Sequence, residues 1–547
     1  MSISETSQLF SAREPSQRPW WSKSPHFCWA IDVLCVAVLV IYFLHFALPA
    51  IGGNFNDDEM MNIFWYWHPG ATKSLWANVL FWTRFHYRPG GALYYLPLYH
   101  FFGLNPQPYR IVQIIILTAA IPMVYYLSRC LASSRFVAFL ATLAACYHGN
   151  LISLVFLGSF IYDVLCGFFY FAALTFYVHV RERSDELRPW QLAGFLALYI
   201  CALDFKEMAV TLPVIVLIYE LLKCHRWSDW KQFIAWTRSF AAPALIAGLI
   251  TAPYIYSRTR GPDAMATWPG YRPHYSWSNF LKSNAHFVSE LFYSEFHSYI
   301  VSKKVLLALW VLVLIYAFLR RDRMLRLMAF WVVIVPLPIA FIVPMRGGPC
   351  LYLLLFGYAM IFAKLASDLI ALISNSSLLV GQGTGVGVAA GAIIAGAATG
   401  GVRSAAIGAA AGAAVGKMSP STFRIFATVL VALSVAIFTH WENQRFGRIS
   451  AFLNEGKKTS HVIQAFRSLN LHPAPGSTIL VKGNPFGEAG GWQPLLVASL
   501  VWNDHSLQIW LDGKNKLTPQ QLAKVDYVIS LSEFHAEIVR ALGSQGR

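Results

Sequence analysis

The feature that most limits this chain is the recurrence of apolar runs, many of them roughly 18 residues or longer, the length that crosses a bilayer as an α-helix. They fall at 27–50, 108–128, 135–151, 160–180, 190–204, 207–223, 236–256, 303–320, 325–344, 350–373 and 422–440, about eleven spans. Lipid offers a spanning backbone no hydrogen-bond partners, so helices are the form such runs must take. Charge is scarce in proportion: 13% of residues are charged, against about 25% in soluble domains. Many of the Trp and Tyr residues stand at the ends of apolar runs, where amphipathic rings settle at headgroup level.

The loops orient the spans. Arg13, Arg18 and Lys23 precede the first run, which places the polar tail 1–26 in the cytoplasm. "SRCLASSR", "HVRERSDELRPW", "KCHRWSDWKQ" and "LRRDRMLR" are basic and all fall on the same inner side. "DFKE", the loop 257–301 and "PMRGGPC" fall outside. The formal net charge of +16 therefore reflects positive-inside loops and attraction to anionic headgroups, not a nucleic-acid surface. The eight cysteines lie in or beside the spans with no Cys-x-x-Cys spacing, so they read as buried thiols. The tail is too polar for a signal peptide, and the first run stays as an anchor.

These readings give a mainly α, polytopic membrane helical bundle with a small C-terminal α/β domain. The membrane domain covers 27–440 and the α/β domain 441–547, outside the cytoplasm by the odd span count. Segment 54–106 reads as an outer juxtamembrane loop. Segment 381–417 is rich in Gly and Ala at small-xxx-small spacing, which lets membrane helices approach closely. Were that segment to insert as a hairpin, the count would rise to thirteen.

Candidate chemistry gathers on the outer side. "NFNDDEMMNIFWYWHPG" sets Asp57, Asp58 and Glu59 among aromatics directly after the first span. Withheld water would raise a carboxylate pKa there, which suits general base work; a solvated acidic loop is the plainer reading. Glu59 suits the N-terminal charge of a helix. Asp163 stands inside an apolar run, where a carboxylate requires a partner or a function. "LDFKE" brings Asp204, Lys206 and Glu207, which could pair with one another, or Lys206 could hold a phosphate as a point charge. Arg88 in "YRPGG" and Arg346 in "MRGGPC" are further outer cations beside Gly-rich turns that let backbone approach an anion. His86, His100, His148, His274 and His286 show no metal-ligand spacing, and there is no nucleotide-type phosphate loop or nucleophile elbow.

The order of these pieces resembles the C-type (GT-C) glycosyltransferases, and among them the O-mannosyltransferase-like proteins that often carry tetratricopeptide repeats. The acidic pair after the first span is matched by "NDDE". The "Arg-Pro-Leu" and "Gly-Leu-x-Pro" segment is matched by "YRPGGALYYLPLYHFFGLNPQPYRIVQ". "Gly-Arg-x-Asp-Leu-Leu" is matched in part by "FIYDVLCG", which keeps Asp163 but has Phe160 and Ile161 for the Gly and Arg. "Ser-Lys-Glu" is matched by "FKE", with Phe205 for Ser, and "Arg-Tyr-Leu-Tyr-Leu-Pro" is echoed by "RGGPCLYLLLFGY". The likeness runs over about 27–373, and no repeats follow it.

The resemblance implies sugar transfer from a polyprenyl-phosphate-linked donor to a glycan, lipid or protein acceptor at the outer face of a bacterial inner membrane. It implies a catalytic base at Asp58, with Asp57 second. Asp163 would orient the acceptor or hold a divalent metal ion where the family uses one. Lys206, Arg88 and Arg346 would neutralise the leaving phosphate, with Glu207 and Glu59 in support. Two other classes fit the same features: a transporter or flippase for a lipid-linked molecule, and a scaffold organised by the glycine-rich segment.

Overall fold

Each of the apolar runs is a helix, and the local sequence sets where each begins. The computed structural model describes residues 25–74, 88–184, 186–223, 227–260, 269–294, 300–343, 345–375, 420–446, 449–487, 491–515 and 517–541. The glycine-rich segment 381–417 and His86 lie outside them. Helix α1 (Pro25–Ala47) leads through a 3-10 turn to α2 (Asp57–Trp67) and α3 (Gly91–Phe102), the two helices of the juxtamembrane segment. Helix α4 (Pro106–Ala132) starts on Asn105, whose side chain accepts from the Gln107 N–H, and ends at Ser133 in the left-handed region, φ 52°. Ser134 then caps α5 (Arg135–Cys146), so "ASSR" is a two-serine reversal between spans.

The bundle continues with α6 (Ile161–Arg183), α7 (Pro189–Phe205), α8 (Leu212–Lys223), α9 (Ala242–Arg260), α10 (Trp277–Leu291), α11 (Lys303–Leu319), α12 (Arg323–Ile334), α13 (Tyr352–Asn375) and α14 (Pro420–Phe446). Among the described residues, seven of the helical segments are long and apolar enough to cross a membrane. The other four predicted spans are helices of 12 or 17 residues: α5, α7, α8 and α11. The protein is a multi-pass helical membrane protein.

Ion pairs mark the two ends of this bundle. At one end Arg135, the first residue of α5, and Arg129, in the last turn of α4, both reach Asp32 near the start of α1, at 2.9 and 3.3 Å. Arg181 at the end of α6 pairs with Glu220 of α8 at 2.7 Å, and Lys364 pairs with Asp322 and Asp368 at 3.2 and 2.5 Å. The candidate site residues lie at the opposite end.

Between the ends, contact is made through small residues, because in lipid it is packing and not water exclusion that draws helices together. A Cβ on Gly167 of α6 would stand 2.6 Å from the Tyr352 ring of α13, and one on Gly357 would stand 2.4 Å from Trp331 of α12. One buried amide ties four chain segments. Asn443 of α14 accepts from the Gly149 N–H (2.7 Å) and the Tyr293 hydroxyl (2.8 Å), and donates to the Tyr42 hydroxyl (3.0 Å) and the Tyr147 carbonyl (3.4 Å). Replacing Asn443 by Leu leaves the buried Gly149 N–H without that acceptor, a loss of about 1–3 kcal/mol. A lowered thermal midpoint in detergent is expected; an unchanged midpoint would show the network to be idle.

The C-terminal part is a small α/β unit. Helix α15 (Lys457–Ser468) precedes β1 (Thr478–Lys482), α16 (Gln493–Trp502), β2 (Gln508–Leu511), β3 (Tyr527–Leu531) and β4 (Ala536–Ala541). The sheet order is β2-β1-β3-β4, with β1 parallel to both neighbours and β4 antiparallel to β3. The three strand-like sequences are β1, β2 and β3. The fourth, "AEIVRA", carries no alternation because it is an edge strand exposed along most of its length. This unit rests on the juxtamembrane helices. Trp67 of α2 donates to Asn503 at 2.7 Å and stacks on His505 with ring centres 4.0 Å apart, while the Tyr99 hydroxyl of α3 donates to the Leu500 carbonyl at 2.6 Å.

Candidate functional site

The three acids of α2 have different surroundings. Asn56 caps the helix in a capping box: its side chain accepts from the Glu59 N–H, and Glu59 accepts from the Asn56 N–H. That turns Glu59 inward, where it is fully buried against Arg110 of α4, carboxylate to guanidinium at 2.6 and 2.7 Å. Arg110 also donates to the Asn54 carbonyl at 2.7 Å. Gly158 makes room for this pair, since a Cβ there would lie 2.0 Å from the Glu59 carboxylate. Glu59 is a structural anchor of the loop.

Asp57 and Asp58 stay at the surface. Asp57 accepts from the Thr459 hydroxyl of α15 at 3.3 Å, and its carbonyl accepts from Gln493 of α16 at 3.0 Å. The C-terminal unit thus sits against the acids. Partial burial pushes the Asp57 carboxyl up, with Thr459 and Lys458 opposing. Asp58 reaches the surface, yet the protein around its base withholds enough water to push its pKa up, and the charges of Asp57 and Glu59 push the same way. Among the described residues, burial and these two acids set that shift. Glu455 is pushed up as well, first by burial and then by the same three acids.

A second cluster forms around Lys206. This residue sits between α7 and a 3-10 turn (Glu207–Thr211) in extended backbone, φ −156°. Its Nζ pairs with Asp163, in the first turn of α6, and lies 3.4 Å from Cys350 Sγ at the start of α13. Both charged side chains are more than nine-tenths buried. Glu207 pairs instead with Arg88 at 3.6 Å. Two of the three "DFKE" charges therefore pair with other segments: Lys206 with Asp163 and Glu207 with Arg88. Arg88 lies over the Tyr162 ring at 4.9 Å, and Tyr162 is hydroxyl-to-hydroxyl with Tyr66 of α2 at 2.9 Å. The Tyr66 hydroxyl also meets the Arg88 carbonyl at 2.5 Å.

The two clusters share α2. Asp58 stands in its first turn and Tyr66 eight residues on, a rise of about 12 Å. The helix therefore sets the separation between the acids and the cations.

Both Gly-Gly turns serve packing with the chain's own groups. A Cβ on Gly91 would meet the Tyr66 hydroxyl at 2.3 Å, and one on Gly90 the Phe205 ring at 2.7 Å. At the second turn the anion approached by backbone is the chain's own Glu290, which accepts from the Gly348 N–H at 2.7 Å and pairs with His286 at 2.9 Å. Gly348 has φ +53°, and a Cβ on Gly347 would fall 2.3 Å from the Glu290 carboxylate. Arg346 turns to the 269–271 segment, donating to the Gly270 carbonyl at 2.5 Å and lying 4.1 Å over the Tyr271 ring.

His100 and His274 are exposed, and His148 is buried with its ring stacked on Tyr293. Among the described residues no three His, Cys, Asp or Glu side chains could hold a metal ion together. The residues missed from sequence are Arg110, Tyr66, Tyr162 and the C-terminal contacts Thr459 and Gln493. Arg110 carried a signal, since an Arg four residues into the α4 helix beside an acidic loop needs a counter-charge.

No family model matches the chain, and no curated protein matches it. Among solved structures it is similar to ArnT from Cupriavidus metallidurans in the apo state, at 14% identity and a TM-score of 0.47, over 93% of each chain. It is similar also to ArnT from the same organism bound to undecaprenyl phosphate, at 13% identity and a TM-score of 0.46, over 92% of this chain and 93% of that one. A likeness at this level says nothing of activity.

Proposed function

We propose that this protein is an integral-membrane glycosyltransferase of the C type, moving a sugar from a polyprenyl-phosphate-linked donor to a hydroxyl acceptor. The single observation that carries the reading is the state of Asp58. It is open at the surface and is pushed up in pKa by burial and by its acidic neighbours Asp57 and Glu59, as a general base requires. The order of motifs shared with the GT-C family supports the same assignment.

In this reading Asp58 takes the acceptor's hydroxyl proton as that oxygen attacks the anomeric carbon. The bond from that carbon to the phosphate oxygen breaks, and polyprenyl phosphate leaves with the electron pair. Lys206, with N–H groups engaged by Asp163 and Cys350, offers its remaining donor to the departing phosphate. Arg88 adds a second cation, held in place by Tyr162 and Glu207. Asp163 holds the Lys206 ammonium in position. Arg346, engaged by the 269–271 turn, takes no part. The basic loops at the far end of the bundle support a reaction outside the cytoplasm, by the positive-inside rule.

The test is a transfer assay on the full chain in nanodiscs with polyprenyl-phosphate-hexose as donor. Release of polyprenyl phosphate is expected, and Lys206→Met should raise the donor KM by about tenfold, the loss of one charge-assisted contact. Movement of intact donor across a liposome bilayer, with no cleavage in either assay, would assign the chain to the flippases instead.

A further inference from the structure

The C-terminal unit contributes more to the acidic loop than a brace. Helix α16 begins at Gln493, directly behind Asp57. One end of this side-chain amide is spent, as Nε2 donates to the Asp57 carbonyl. The other end is not. Gln493 Oε1 is buried and has no hydrogen-bond partner among the described residues, in a side chain that is only 8% exposed. A buried amide oxygen left without a donor costs about 1–3 kcal/mol, so this oxygen needs a donor from a water or a ligand.

The residue before it is Trp492, 54% exposed. Leu496, Val497 and Leu500 of the helix that follows are buried, whereas the uncovered indole at its start gains nothing for the fold. What it offers is a flat, polarisable face for C–H groups, with a polar edge.

The chemistry of this corner is one-sided. Gln493 Oε1, Asp57, Asp58 and Glu455 are all acceptors, and the Thr459 hydroxyl already points its proton at Asp57. Lys458 is the cation that acts on Asp57, and it also pairs with Glu533 at 3.8 Å, so a phosphate or carboxylate would meet net repulsion from the three carboxylates. A ligand with several O–H donors and an apolar C–H face is complementary to all of it.

We propose that Trp492 and Gln493, with Asp57 and Asp58 opposite, form the acceptor subsite, and that the acceptor is a carbohydrate. The proposal rests on the transferase reading, and it gives the C-terminal unit its role. The sugar ring lies on Trp492, one hydroxyl donates to Gln493 Oε1, and a neighbouring hydroxyl faces Asp58. The donor phosphate, at Lys206, approaches along the other end of α2.

The experiment is retention of the full chain, in nanodiscs, on an array carrying oligosaccharides and Ser- or Thr-containing peptides, followed by transfer kinetics with polyprenyl-phosphate-hexose. Wild type is expected on oligosaccharide spots. Trp492→Ala should weaken retention and raise the acceptor KM about tenfold with the donor KM unchanged, and Trp492→Phe should restore most of it. Gln493→Ala should act in the same direction. Retention on peptides alone, or Trp492→Ala equal to wild type on oligosaccharides, would overturn the subsite. Transfer with an unchanged acceptor KM in both variants would do the same while leaving the transferase reading intact. Oligosaccharide retention without any transfer would sink the transferase reading and leave the binding site standing.

Discussion

Asp58→Asn is expected to lower sugar transfer by at least about a hundredfold, the smaller end of what a general base contributes. The substitution keeps shape and hydrogen-bonding capacity and removes only the ability to take a proton. Its effect on folding should be nil or favourable, and the sign can be worked out. The Asp58 carboxyl titrates higher in the fold than in the unfolded chain. Between those two values the folded state holds more protons, so stability falls as pH rises through that window. An uncharged Asn is spared that loss, and the thermal midpoint at neutral pH should be at or above wild type. The same shift governs the rate. A free aspartate titrates near about 3.9, so the acid limb of the wild-type pH profile should lie above that value, with activity lost as pH falls through it. A variant that transfers at the wild-type rate, or an acid limb at or below the free value, would remove Asp58 from the chemistry. Asp57→Asn is the internal comparison. Its carboxylate already holds the Thr459 hydroxyl, so a smaller loss is expected there.

The membrane architecture was open to reading because hydropathy and loop charge are local properties. A run of apolar residues carries its own instruction to form a helix in lipid, and the basic "SRCLASSR" and "LRRDRMLR" turns can be assigned a side without knowing any contact. The pairings were not open in this way. Lys206 could be seen beside Asp204 and Glu207, yet its partner is Asp163, 43 residues earlier, because the extended backbone at Lys206 directs its side chain back to α6. The Gly-Gly turns read as anion cradles from their composition. Only the fold shows that Tyr66, Phe205 and Glu290 fill that space. The docking of α16 on Asp57 joins residues 436 apart in the chain, and nothing in either segment alone announces it. What sequence gave was which residues stand at one end of the bundle. Which of them touch is decided by tertiary packing.

Glu59→Gln should be the most destabilising change in the acidic loop. It leaves the Arg110 guanidinium fully buried without its counter-charge, and breaking one side of a buried pair costs about 3–5 kcal/mol. Arg110→Met strands the carboxylate instead and should cost a similar amount. Changing both, Glu59→Leu with Arg110→Met, should cost far less than the sum, because no lone charge remains and the two residues share one interaction. Gly158→Ala reaches the same pair by another route. Its methyl would lie 2.0 Å from the Glu59 carboxylate and 2.5 Å from Arg110 Nη1, so the ions must part. Thermal unfolding in detergent separates these cases. Independent, additive losses from the two single changes would show that the pair does not act as a unit. Activity should follow stability here, although neither residue touches substrate. The capping box links Glu59 to Asn56, and Asn56 sets where α2 starts and so where Asp57 and Asp58 face. A single variant with intact folding and lost transfer would place Glu59 in the chemistry itself; lost transfer only in proportion to lost fold would keep it as the anchor that aims its two neighbours.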